Sequence, residues 1–115
     1  MPPEPRLAMQ VVVSALIRQF SATGDFAAVL HKGDPIAGAL LLVSRIKGRN
    51  PALFEQFPAV NDTRKWQQVF SQNVDNEQKI STYLERRIVQ DRDIWVLELD
   101  VAFAERLDGL LSPKG

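Results

Sequence analysis

Apolar residues near the start of the chain recur at helical spacing. Positions separated by four, three and four residues share one face of an α-helix, and here they are Met9, Val13, Leu16 and Phe20. Pro5 suits the first turn of such a helix, and Gly24 suits its end. We therefore predict a helix over residues 6–23, behind a proline-rich lead-in at residues 1–5 that we expect to be flexible.

Four short apolar runs follow, each bounded by turn-forming residues. The predicted strands cover residues 26–31, 37–46, 53–57 and 66–70. The Gly-Asp-Pro turn at 33–35 predicts that the first two strands form an antiparallel pair. Residues 40–43 are continuously apolar, so we expect both faces of that strand to be covered. Trp66 is expected to face the opposite side of its strand from Val69 or Phe70.

The second half of the chain predicts a helix, a strand and a final helix. The first of these begins at Asp75, with Gln78 three positions on as in a capping box. Its apolar face comprises Ile80, Tyr83, Leu84 and Ile88. A strand follows over 94–99. Asp100 would then cap a helix over 101–111, whose inward residues are Phe103, Leu107, Leu110 and Leu111.

This order of elements predicts an α+β fold. Because short turns join most strands, we expect a largely antiparallel sheet of about five strands. An N-terminal helix, a helix before the last strand and a C-terminal helix would pack on it. The chain shows no internal repeat and no long linker, so residues 6–115 are predicted to form a single domain after the lead-in at 1–5.

Composition excludes several classes of function. The 115 residues contain 14 Lys+Arg and 14 Asp+Glu, whereas domains that bind nucleic acid by bulk electrostatics carry a positive excess. With no cysteine and one histidine, disulfides, thiol nucleophiles and multi-histidine metal sites are excluded, and we expect neither metal nor cofactor. The absence of cysteine fits a reducing compartment, and no signal-peptide or membrane-spanning pattern occurs. We expect a cytoplasmic protein.

The order and spacing of several short segments resemble a family of small bacterial proteins, mainly alphaproteobacterial, known as domain of unknown function 1491. The segments follow a Pro-Arg-Leu helix start and are Gly33-Asp34-Pro35, Ala37-Gly38-Ala39, Tyr83-Leu84-Glu85-Arg86-Arg87, Asp91-Arg92-Asp93 and Trp95-Val96-Leu97-Glu98-Leu99. The resemblance spans residues 5–100. Members tend to have Asp-Pro-Asp where this chain has Asp-Arg-Asp at 91–93. The resemblance implies no activity, cofactor or catalytic residue.

Four residues are candidates for a small ligand-binding or catalytic pocket. His31 could act as a general base oriented by Asp34, and Arg87 could bind a carboxylate or phosphate across the sheet edge. Trp66 would complete the pocket. Each also has a structural interpretation. The histidine would simply end a strand, the aspartate would bond the turn backbone, the tryptophan would anchor the core, and the arginine would pair with an aspartate at 91 or 93.

A third hypothesis concerns Arg45, Lys47 and Arg49, which alternate near a predicted hairpin end. Together with Arg64 and Lys65 they could form a local basic edge that makes weak, salt-sensitive contact with nucleic acid. The alternative is a solvated strand end whose charges deter edge pairing.

We favour a non-catalytic domain that binds another protein or a second copy of itself. The sequence contains no coherent catalytic set, and its charge is balanced. Apolar residues are also in surplus at the ends of elements, including Phe54 with Phe57, and Leu110 with Leu111. Phe54 and Phe57 cannot both face the same side of a regular strand, so we expect one of them to be exposed. An enzyme is the less favoured interpretation, and nucleic acid is the least favoured partner.

Overall fold

A sheet with helices on both faces forms the centre of the molecule. The computed structural model describes residues 8–57, 65–71 and 76–111. In chain order its elements are α1 (Met9–Ala22), β1 (Phe26–His31), β2 (Leu40–Ile46), β3 (Arg49–Phe57), β4 (Lys65–Phe70), α2 (Glu77–Gln90), β5 (Trp95–Val101) and α3 (Glu105–Leu111). The predicted α+β class with three helices is confirmed. The predicted lead-in at 1–5 lies outside the described residues.

The five described strands form one mixed sheet in the order β1-β5-β2-β3-β4. β5 runs parallel to β2, and the other three pairings are antiparallel. The prediction of a largely antiparallel sheet is therefore corrected. The physical cause is α2, because a helical crossover returns the chain across one face and lets β5 run in the same direction as β2.

The predicted direct pairing of β1 with β2 is wrong, because β5 lies between them. The loop at 32–39 wraps around the residues that lead into β5, and its Asp34 amide donates to the Asp93 carbonyl at 2.9 Å. A Cβ atom on Gly33 or on Gly38 would lie 2.1 Å from that same carbonyl oxygen. Both positions therefore need glycine, because a side chain at either one would prevent the two backbone segments from approaching so closely. This approach lets the loop between β1 and β2 cross the start of the inserted strand β5.

Two apolar clusters occupy the two faces of the sheet. α1 and α3 cover one face, where α1 presents the predicted stripe Met9, Val13, Leu16 and Phe20. α2 covers the other with the predicted Ile80, Tyr83, Leu84 and Ile88. Residues 40–43 alternate between the clusters and are all buried, which confirms that both faces of β2 are covered. Trp66 packs on the α1 side and Val69 and Phe70 on the α2 side, as predicted.

Backbone hydrogen bonds explain where α1 begins and ends. Its first amides, from Met9 and Gln10, donate to the carbonyls of the loop at 35–36. At its end Gly24 has a φ of 85°, and the amides of residues 24 and 25 donate back into the last turn. This is a Schellman motif, in which glycine is favoured because it adopts positive φ without strain. The predicted stop at Gly24 is confirmed.

The predicted start of α2 is only partly matched. The helix begins at Glu77, and its cap residue Asn76 makes no capping bond from its side chain. Asp75 lies outside the described residues. The expected capping-box residue, Gln78, donates to Thr82 one turn along the helix instead.

The C-terminal elements differ from the prediction. Asp100 belongs to β5 and does not cap a helix, because its carboxylate accepts a 2.9 Å hydrogen bond from the amide of Gly48 in the β2–β3 turn. α3 is consequently shorter than predicted and begins at Glu105. Leu107 is buried as expected, whereas Phe103 is 54% exposed. The side chains of the two terminal leucines lie outside the described residues.

Candidate functional site

His31 and Asp34 lie together at one corner of the sheet, where β1 ends. The Nδ1 atom of His31 donates to the Ile94 carbonyl at 2.8 Å, which fixes the ring against the start of β5. The Asp34 carboxylate accepts from the amides of Ile36 and Ala37 at 2.7 and 3.1 Å, as the structural interpretation predicted. These hydrogen bonds lower the pKa of Asp34. Both side chains therefore contribute to holding the loop around β5.

The other two pocket candidates lie elsewhere. Trp66 is on β4, at the opposite edge of the sheet, and packs on the α1 side. Arg87 is on α2, which covers the other face. Strands are spaced by about 4.8 Å, so β1 and β4 are separated by roughly 19 Å. The structure brings His31 and Asp34 to one corner but does not bring all four candidates together.

Arg87 forms a half-buried cluster between α2 and β3. Its two terminal nitrogens donate to the two carboxylate oxygens of Glu55 at 2.8 and 2.9 Å, and Nη1 also donates to the Tyr83 hydroxyl at 2.7 Å. The hydrogen bonds that Arg87 donates to the Glu55 carboxylate raise the pKa of Arg87 well above its usual value. An ion pair was predicted here, but with Asp91 or Asp93. Glu55 was missed, although it follows Leu53 at the two-residue spacing that puts both on one face.

Arg45 is held in a second ion-pair network on the same face. Its guanidinium donates to Glu98 on β5 at 2.9 Å and to both oxygens of Glu77 at the start of α2. The bonds to Glu77 are the main cause of a raised pKa at Arg45. Of the three basic residues proposed for nucleic-acid contact, only Lys47 and Arg49 are thus left exposed at the hairpin.

The described part of the chain shows no arrangement for a metal or a membrane span. Across residues 8–57, 65–71 and 76–111, no three His, Asp or Glu side chains are grouped so that they could hold a metal ion. In the same ranges no helix has the length and apolar character needed to cross a bilayer.

β1 presents an apolar, uncharged edge to solvent. It is the terminal strand of the sheet, and its sequence Phe-Ala-Ala-Val-Leu-His contains no charged residue. Phe26, Val29 and Leu30 are 55%, 40% and 52% exposed. A bulge lies between Val29 and His31, so Phe26–Val29 is its regular part. The backbone groups that face away from β5 have no neighbouring strand within the described sheet.

The other edge of the sheet, formed by β4, differs in character. It begins with Lys65, and its Gln67 and Gln68 are exposed polar residues. Lysine and polar side chains are devices by which edge strands avoid pairing with other chains. The sequence pattern of β1 does not reveal that it is an edge strand, because strand order depends on contacts distant in sequence.

Comparison with known proteins identifies the family. The family model described as "Protein of unknown function (DUF1491)" matches residues 7–107. The chain belongs to this family. The resemblance inferred from its short segments is thereby confirmed, and the DUF1491 match extends into α3, beyond the residues that carried the resemblance.

Solved structures of DUF1491 proteins are similar over most of the chain. The crystal structure of a family protein from Caulobacter crescentus is 35% identical, with a TM-score of 0.69, covering 84% of this chain and 87% of its own. The solution structure of protein Atu0922 from A. tumefaciens is 28% identical, with a TM-score of 0.76 and coverages of 96% and 98%. No curated protein matches. The DUF1491 name itself assigns no activity.

Proposed function

We propose that this DUF1491 protein is a non-catalytic protein-interaction domain whose binding surface is the open edge of β1. The observation that carries the proposal is an edge strand with three exposed apolar side chains and no charge. Such an edge offers unpaired amides and carbonyls to an incoming strand, while its apolar side chains supply burial on both faces.

The state of the polar side chains supports a binding role over a catalytic one. The ring of His31 donates a hydrogen bond to the Ile94 carbonyl, and the carboxylate of Asp34 accepts one from the Ile36 amide in its own turn. The guanidinium groups of Arg45 and Arg87 are each matched by carboxylates. These groups hold elements of the fold together, so they are poorly placed to exchange protons or to grip a substrate.

The cysteine-free composition is compatible with a protein that works in the reducing interior of the cell. We therefore propose that the interaction takes place in the cytoplasm.

The proposal is tested by photo-crosslinking at the two sheet edges. A photoreactive benzoylphenylalanine replaces Val29 on β1 or, as the matched control, Gln67 on β4, and the full chain is irradiated inside the cells that express it. We expect covalent adducts with protein in clear excess at position 29. Equal yields at both positions, or no protein adduct at position 29, would overturn the assignment of β1 as the binding edge.

A further inference from the structure

The β1 edge suits a second copy of this chain. We infer, on the basis of the proposed function, that two copies pair antiparallel through β1 and join their five-stranded sheets into one. Self-pairing places a strand against its own sequence, so any charge within it would meet the same charge close by. β1 contains none, and the formal charge of the whole chain is zero.

Symmetry restricts how two β1 strands can be aligned. Residues directly opposite each other in an antiparallel pair point to the same face, whereas neighbours along one strand point to opposite faces. A two-fold axis perpendicular to the sheet must therefore pass midway between two copies of the same residue, which lie directly opposite each other. The axis is named below by that residue. Within the middle of the strand the axis has three choices, at Ala27, Ala28 or Val29.

Two of the three choices leave an exposed apolar side chain without an apolar neighbour. With the axis at Ala27, Leu30 would lie opposite Gly24 of the second copy, outside the strand. With the axis at Val29, Phe26 would lie opposite Lys32 of the second copy, beyond the bulge that ends the regular part of β1. Either arrangement would forgo apolar burial that the strand could supply.

The remaining choice matches apolar residues with apolar residues. With the axis at Ala28, its small side chain faces its own copy, and Ala27 faces Val29 of the other chain. Phe26 then lies beside Leu30, which occupies the bulge. The three exposed apolar side chains of each copy are all covered in this arrangement, which adds burial to the backbone hydrogen bonds.

The ends of the strand are also compatible with this alignment. Asp25 would stand opposite His31 of the second copy. Its carboxylate is already held by Arg106 at 3.0 Å, by the Thr23 hydroxyl at 2.9 Å and by the amide of Ala102. The carboxylate is thereby paired within its own chain, so this alignment places no unpaired charge opposite the imidazole.

A cysteine scan tests both the pairing and its alignment. The natural chain has no cysteine, so each introduced thiol is the only one present. The variants are Ala28→Cys, Phe26→Cys and the β4 control Gln67→Cys, each oxidised mildly as the full chain. Opposed Cβ atoms lie about 5 Å apart, within reach of a disulfide after a small shift, whereas the two copies of position 26 would lie roughly 14 Å apart.

We expect Ala28→Cys to form a disulfide-linked dimer at least about tenfold faster than either other variant, because pairing raises the effective thiol concentration. Sedimentation of the unmodified chain should show a dimer, and Val29→Lys should convert it to monomer while Gln67→Lys does not. A monomeric chain whose three cysteine variants oxidise at equal rates would overturn the self-pairing. If photo-crosslinking at position 29 captures a different protein and no second copy of this chain, the self-pairing is wrong but the proposed binding function of β1 stands.

Discussion

The ion pair between Arg87 and Glu55 holds α2 against β3, and its removal should be costly. The two side chains are 22% and 12% exposed and share two hydrogen bonds, and the Tyr83 hydroxyl accepts a third. Hydrogen bonds to charged groups contribute about 1.5–3 kcal/mol, and a half-buried guanidinium left without its carboxylate adds a desolvation cost. We therefore expect Glu55→Gln to lower the free energy of unfolding at pH 7 by about 2 kcal/mol.

Urea unfolding followed by circular dichroism measures this change. Arg87→Met and the double variant with Glu55→Gln complete a double-mutant cycle, and the coupling between the two sites should be about 1–2 kcal/mol. Glu85→Gln, on the exposed side of the same helix, is the matched control and should change stability by less than about 0.5 kcal/mol.

Two outcomes would contradict this role of the ion pair. If Glu55→Gln is no more destabilising than Glu85→Gln, the pair contributes nothing beyond a surface contact. If both single variants are destabilising but the coupling is near zero, each side chain acts through other neighbours, and the ion pair is not what joins α2 to the sheet.

Three further predictions concern single side chains. Gly38→Ala should lower the unfolding free energy far more than Gly24→Ala. The added Cβ meets a backbone carbonyl at 2.1 Å at position 38, whereas at position 24 it meets open space and only the strain of a φ of 85° opposes it; urea titrations compare the two variants. Ser44→Ala should raise it by about 1 kcal/mol, since the buried hydroxyl has no hydrogen-bond partner among the described residues. Hydrogen bonds from Arg45 lower the pKa of Glu77 from its ordinary value near 4.5, so its stabilisation is complete above that value and is lost as the pH falls through the lowered pKa. Glu77→Gln should therefore flatten the loss of stability on acidification, measured by urea unfolding between neutral pH and pH 3.

Local patterns in the sequence were enough to predict several elements. The stripe on α1 and the glycine that ends it depend on residues within a few positions of each other, and both are found. The bounds of β1 are also as predicted, because an apolar run between turn residues is a local signal. The limit is reached at Asp100, whose preference for capping a helix is overridden by the amide of a turn more than fifty positions earlier.

The arrangement of the strands could not be predicted in the same way. The turn after β1 favours a direct pair with β2, and nothing near it in sequence indicates that β5 enters between them. Gly33 falls in the predicted turn at 33–35 and Gly38 in the predicted strand at 37–46, and neither position indicates the tight approach to the Asp93 carbonyl that lets the loop cross the start of β5. The proposed function rests on the edge position of β1. This position could not be predicted either, because it follows from the strand order.

The insertion of β5 has a consequence for how the molecule assembles. β5 is the last of the described strands in sequence and is bonded to both β1 and β2, and its pairing of Asp100 with Phe26 closes a long loop of the chain. The hairpins from β2 to β4 can form as soon as they are synthesised, but β1 has no strand to join until β5 is available. Closing so long a loop is entropically costly and slow. A nascent chain therefore completes its sheet in a single late step. A truncation before Trp95 would leave β1 without a strand partner and one edge of β2 open, and both apolar edges would be prone to aggregate.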